Sequence, residues 1–271
     1  MAYRHITILI ALISSLSLYQ CKVSQPWEAD KTILLGSITP IGMATVQDEI
    51  WISDGNNNQI VQINSEGQVI GDLIPIERPM HLSTLNDKLY IPSYGIDQIL
   101  VKGGHEIDTL IIQDSLDAPA AVFVTDTDIA IADFYNHRVL LKHADRWMTI
   151  GGQGKSDGEM NYPTDVHIHG DRLYVADAYN NRGQVFTLQG EHIMTFGNEA
   201  GINAATGIYV TEKLIYLTDF ENNRVLSFDH KGRLKQILTE GLSNPSDMEI
   251  VDERLWVLNF SGKYITTYVS E

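Results

Sequence analysis

Cysteine is nearly absent: among 271 residues there is one, Cys21. That excludes a disulfide framework and any metal site built from several thiolates. Basic residues are scarce as well, with 19 Lys and Arg against 35 Asp and Glu and a formal net charge of −16. A field of that sign repels phosphate backbones, and no local basic patch offsets it, so nucleic acid is not an expected partner. No apolar run approaches the roughly 20 residues that span a bilayer as a helix. No stretch sustains a 3.6-residue apolar period, which argues against helical repeats. Hydrophobic residues are present in ordinary amount, 44%, enough for a globular core and too much for a disordered chain.

The longest apolar stretch is N-terminal. Arg4 leads into Ile6 to Ile13 and then Ser14-Ser15-Leu16-Ser17-Leu18, a cationic start and short apolar run of the kind that directs export. It ends at Leu18-Tyr19-Gln20-Cys21. A Leu three residues before the sole Cys resembles a bacterial lipobox, although Tyr19 and Gln20 replace the usual small residues. The expectations are a signal peptide at 1–20, a lipidated Cys21 opening a polar tether at 21–30, and a folded domain at 31–271. The protein would then be exported and lipid-anchored in a bacterial envelope, on its periplasmic or surface face.

The rest of the chain is dominated by a repeat, the feature to look for first in a sequence of this kind. Pro163 is followed by Leu173-Tyr174-Val175-Ala176-Asp177-Ala178-Tyr179-Asn180-Asn181-Arg182. The frame returns as Ala130-Ile131-Ala132-Asp133-Phe134-Tyr135-Asn136-His137-Arg138 and as Ile215-Tyr216-Leu217-Thr218-Asp219-Phe220-Glu221-Asn222-Asn223-Arg224. More worn copies end at Asp54, Ser93 and Asn259. Anchors at Pro40, Pro79, Pro119, Pro163, Ala205 and Pro245 each precede the acid, or the residue in its place, by fourteen positions. A period near 40 is the length of one four-stranded propeller blade. Apolar and aromatic residues alternate without a polar face, as in Leu173-Tyr174-Val175, which predicts strands buried on both sides.

These residues resemble the NHL repeat, named for an Asn-His-Leu triplet that Asn136-His137-Arg138 nearly reproduces. The likeness runs over about residues 31 to 271 and is strongest in the units starting at Pro119, Pro163 and Ala205. The resemblance implies an all-β, six-bladed propeller. Closure follows independently. Only 27 residues, 245 to 271, remain after the last anchor, so the sixth blade lacks a strand, and Lys31 to Leu35 is expected to supply it and to hide an edge.

Three features bear on chemistry. The acid–Asn–Arg turns, Asp133 with Arg138, Asp177 with Arg182 and Asp219 with Arg224, are read as turn locks, because every blade needs one. Gly151 to Ser156 has no following helix and lacks the Walker spacing, so it is not read as a nucleotide loop. Two residues past each anchor stand Gly42, His81, Ala121, Asp165, Gly207 and Asp247. NHL-type propellers include a zinc-dependent lyase, and His81, Asp165 and Asp247 are the alternative metal set here, for calcium or zinc. His167 and His169 stand beside Asp165.

The favoured site lies elsewhere. Tyr94, Phe134, Phe220 and Phe260 follow the repeat acid directly, with Tyr135 and Tyr179 one step further. Large rings gathered in turns on one face suggest a contact surface. The expected function is therefore a non-catalytic binding or scaffold module without cofactor. It would be monomeric, with a protein segment or small molecule as ligand, and would meet the membrane through its lipid alone. The alternative is a metal-dependent lyase or hydrolase at the mouth of the central channel.

Overall fold

The computed structural model describes residues 26 to 47 and 49 to 270. The signal at 1–20, Cys21 and the first part of the tether lie outside the described residues. The described chain forms six four-stranded antiparallel sheets. Their inner strands are Pro40–Val46, Ser83–Leu85, Pro119–Val124, Pro163–His169, Ala205–Val210 and Pro245–Val251. Each touches the next around a ring, and the last touches the first. This is a six-bladed β-propeller, numbered here as blades 1 to 6 in anchor order.

The repeat register is the pairing register. Pro40 faces Asp54, Pro79 Ser93, Pro119 Asp133, Pro163 Asp177, Ala205 Asp219 and Pro245 Asn259. The two-sided apolar strands are buried as their composition requires: Leu173, Tyr174, Val175 and Ala176 are all at most 1% exposed. Six hydrophobic clusters form, one at each junction between neighbouring blades. The core is therefore a set of interfaces in place of one central mass.

Two polar devices repeat on the anchor side of the disc. In the first, each fully buried repeat acid gathers its turn. Asp177 accepts from Arg182 Nε at 2.8 Å, from Asn180 Nδ2 at 2.9 Å and from the Asn161 N–H at 2.7 Å. Asp133 and Asp219 repeat the set with Arg138, Asn136 and Asp117 and with Arg224, Asn222 and Asn203. These acids are structural locks, since a buried carboxylate is stable only when its oxygens are fully partnered. Arg182 also donates to the Lys155 and Ser156 carbonyls, so the Gly-rich loop presents oxygens to a cation and forms no phosphate cradle around it.

The second device was not visible in the sequence. Asn58, Asp97, His137, Asn181 and Asn223 all sit in the left-handed region, a conformation these side chains favour. Each accepts a backbone N–H from the residue before the next anchor: Arg78, Ala118, Tyr162, Ala204 and Asn244, at 3.0, 2.7, 3.1, 2.9 and 2.8 Å. One side chain thus stitches each of blades 1 to 5 to its successor.

The sixth blade closes as expected, with more chain than expected. Its outer strand is Trp27–Leu34, paired antiparallel with Tyr264–Ser270. The tether therefore does not extend to residue 30, because Trp27 to Asp30 already belong to the sheet. A bulge between Ala29 and Lys31 shifts the alternation by one residue, which makes this segment read as polar linker. Trp27 is tied to blade 5. Its N–H donates to Gln236 Oε1 at 3.0 Å, its carbonyl accepts from Gln236 Nε2 at 2.8 Å, and its indole donates to the Tyr216 hydroxyl at 2.9 Å.

Candidate functional site

Position two of the inner strands alternates in size around the ring: Gly42, His81, Ala121, Asp165, Gly207, Asp247. Close approach of the strands dictates the small residues. A Cβ on Gly42 would lie 2.6 Å from the His81 Cα, and one on Gly207 would lie 2.7 Å from the Ser246 carbonyl. The polar residues of blades 2, 4 and 6 therefore converge on the axis without competition from their neighbours.

His81 Nδ1 stands 3.6 Å from Asp247 Oδ2 and 3.9 Å from Asp165 Oδ2, and the three groups offer ligand atoms all within 4.8 Å of one another. All three residues are buried. Each carboxylate is held by backbone. Asp165 accepts from the Val166 N–H at 2.8 Å and across the junction from Ile208 at 2.7 Å, and Asp247 does the same with Met248 at 2.8 Å and Met43 at 2.9 Å. The His81 backbone N–H donates to the Ala120 carbonyl. Its side-chain Nδ1, in contrast, is buried without a hydrogen-bond partner among the described residues, because 3.6 Å is too long for such a bond.

The electrostatics are those of a shared proton. Burial lowers the basicity of His81, but Asp165 and Asp247 outweigh it and carry its pKa from 6.5 up to about 9. Burial drives Asp165 from 3.8 up to about 7, with His81 opposing and Asp247 reinforcing. A divalent cation fits this donor set, since one imidazole nitrogen and two backbone-fixed carboxylates suit both zinc and harder ions.

The cluster forms the closed end of a central pocket of about 290 Å³. The lining runs from position two to position five of the inner strands, including Ser83, Thr84, Phe123, His167, Tyr209 and Glu249. None of it lies at the anchors, so the pocket opens away from the anchor face. In the layer above the cluster, Thr45 Oγ1 donates to Glu249 Oε2 at 3.1 Å. Burial, then Asp247, lifts Glu249 from 4.5 to about 7. His167 is held down to about 3, by burial and then by His169. The sequence offered His81, Asp165 and Asp247 only as an alternative set at the mouth of the channel, whereas they lie at its closed end, and it missed Phe123, Tyr209 and Glu249, whose position in each repeat looks like ordinary strand.

The turn aromatics gather on the opposite, anchor face in two groups. Phe134 lies 6.0 Å from Tyr94, 5.2 Å from Tyr135 and 6.5 Å from Tyr179. Tyr162, not singled out in the sequence, fills the centre, 4.8 Å from Phe134 and 4.9 Å from Tyr179. Phe220 and Phe260 form a separate pair at 5.8 Å. Tyr94, Phe134, Phe220 and Phe260 are half-buried. Tyr135 and Tyr179 are 49% and 63% exposed.

No protein-family model matches the chain, and no curated protein matches its sequence. Solved structures do match. A virginiamycin B lyase from Staphylococcus aureus is 13% identical, with 91% of this chain and all of that one covered at a TM-score of 0.65. A gluconolactonase from Xanthomonas campestris is 14% identical, covering 93% and 99% at 0.70. A chain of a nidogen/laminin complex is 15% identical, covering 73% and 79% at 0.61. At these identities the likeness is one of fold.

Proposed function

We propose that the protein binds a divalent cation at the closed end of its central pocket and acts there on a small polar molecule, as a metal-dependent lyase or hydrolase. The observation that carries this reading is the convergence of His81, Asp165 and Asp247 around a buried, unpartnered Nδ1. A buried polar atom without a partner costs free energy, and a cation on the pocket side removes that cost. Bound there, the cation supplies Lewis-acid polarisation of a substrate oxygen. The chain supplies the rest. Val166, Ile208, Met248 and Met43 fix the carboxylates through their N–H groups. Thr45 orients Glu249, a carboxyl group in the next layer, and the walls limit water. Two of the similar solved chains, the lyase and the gluconolactonase, are enzymes on this fold, which supports the class of reading without naming a substrate.

Calorimetric titration of the full chain with calcium, magnesium, manganese and zinc tests it. One-site binding is expected for at least one ion, weakened at least tenfold in Asp165→Asn and in Asp247→Asn. Absence of binding for all four would overturn it.

A second reading, a binding module using the anchor face for a protein segment or small ligand, is favoured by the exposure of Tyr135 and Tyr179. On that reading Tyr135→Ala and Tyr179→Ala keep the parental melting temperature, whereas Tyr174→Ala, buried at 1%, melts early. On either reading we infer export and lipid anchoring through Cys21, so that Cys21→Ser moves the protein from the membrane fraction to the soluble one.

A further inference from the structure

We propose that the molecule taken into the central pocket carries a ring, which lies against the wall formed by Phe123, His167 and Tyr209 and hydrogen-bonds the His167 imidazole. The inference rests on the central-pocket reading and names the ligand class it takes. The three residues occupy the same position in blades 3, 4 and 5, and their rings follow one another around half of the channel. Phe123 and His167 are 4.2 Å apart at 37°, and His167 and Tyr209 are 5.3 Å apart at 76°. The same position on the facing half carries Glu249, Ala44 and Ser83. The cross-section is therefore lopsided, aromatic on one side and small or polar on the other. That is the shape of a slot for a flat or puckered ring, whose faces gain from aromatic contact and whose edges keep their polar groups.

His167 makes the wall more than packing. It is 8% exposed and lines the pocket, yet its ring makes no hydrogen bond to any described residue. Aromatic neighbours on both sides cover its faces, and its nitrogens, bonded to no described residue and not sealed off as His81 Nδ1 is, open onto the pocket. Phe123 and Tyr209 are only half-buried, although side chains serving the core alone would be covered. A ligand that brings a hydroxyl or carbonyl to His167 completes both requirements at once.

The test uses phenol and cyclohexanol as ring-bearing alcohols and glycerol as the acyclic control, with the full chain and ligand-observed NMR. Both ring alcohols are expected to bind, phenol the tighter, and glycerol not to bind. His167→Phe keeps the wall and removes the hydrogen bond, and should weaken phenol about tenfold at an unchanged melting temperature. Phe123→Leu, a milder change of volume, should weaken both ring alcohols. Failure of both ring alcohols to bind, or equal phenol affinity in His167→Phe and the parent, would overturn the wall assignment. Cation titration of the same samples separates the two proposals. His167→Phe should bind the cation like the parent, and loss of cation binding in the parent strikes the metal centre while the phenol result still judges the wall.

Discussion

Five of the six blades are built from one unbroken stretch of chain, and the sixth joins the two ends, its outer strand Trp27–Leu34 running on through residues 35–39 into blade 1. At the five continuous junctions a single side chain, Asn58, Asp97, His137, Asn181 or Asn223, reaches one backbone N–H of the next blade. At the seam between blades 6 and 1 the corresponding residue is Lys263, which has no acceptor in its side chain, and only its carbonyl takes the Leu35 N–H. The seam has a whole strand instead, Trp27–Leu34. Three further bonds join residues more than 200 positions apart: Met43 to Asp247, Thr45 to Glu249, and Ser246 to the Pro40 carbonyl. Bonds of these last kinds also cross continuous junctions, as Ile208 to Asp165 and Thr164 to the Ala205 carbonyl do between blades 4 and 5, where the chain already keeps the neighbouring blades close when unfolded. The seam must recover the entropy of closing a loop of almost the whole domain, and the paired strand Trp27–Leu34 is what it has in addition to do so.

The comparison can be broken most directly by removing the closing strand. A chain beginning at Ser37 should lose its cooperative melt or fall by on the order of 10 °C or more by circular dichroism; a melt equal to the parent's would show that the strand is not structural. Trp27→Ala is the next test, with an expected loss of about 2–3 kcal/mol and a melting point several degrees lower. An Asp30 start should also be destabilised, since it lacks the Trp27 bonds to Gln236 and Tyr216. His137→Ala sharpens the contrast at a continuous junction, costing about 1 kcal/mol, whereas His137→Asn installs the residue type used by the neighbouring stitches and should cost a few tenths.

The smallest effect concerns pH, with chelator present. The folded state holds protons on His81 and Asp165 more tightly than the unfolded chain does, with pKa values raised to about 9 and about 7. Their contribution to stability is therefore lost as pH rises, for His81 between 6.5 and about 9. His167, lowered to about 3, acts in the opposite sense, because the unfolded chain takes its proton below 6.5 and stability falls on acidification. Between about pH 4 and 6.5 the loss from Asp165 and Glu249 opposes the gain from His167, and above pH 6.5 the melting temperature should fall. His81→Gln should flatten the alkaline side and His167→Phe the acid side, and unchanged profiles would contradict the assignments.

The fold was legible because its period and its register are the same signal. Pro at the strand start and an acid at the end of the facing strand are demanded by local geometry, so they survive in every blade in some form. The convergence of His81, Asp165 and Asp247 was legible as an alternative for the same reason, once aligned by column. What escaped depends on neighbours in space. Tyr162 lies outside the repeated core and joins the aromatic group only because a left-handed backbone turns it there. Phe123, Tyr209 and Glu249 occupy positions that are core in many strands and become pocket only at the axis. Trp27 was hidden by a bulge that put its strand out of phase.

The alternation of small and polar residues at position two groups the blades in pairs. Two neighbouring blades, one yielding space and one reaching inward, are the true repeating unit of the site, although each blade alone is the repeating unit of the fold. In this ring a side chain at Gly42 or Gly207 would press on the backbone of the blade that follows, so the inward reach of His81 and Asp247 depends on what the blade before each of them leaves out.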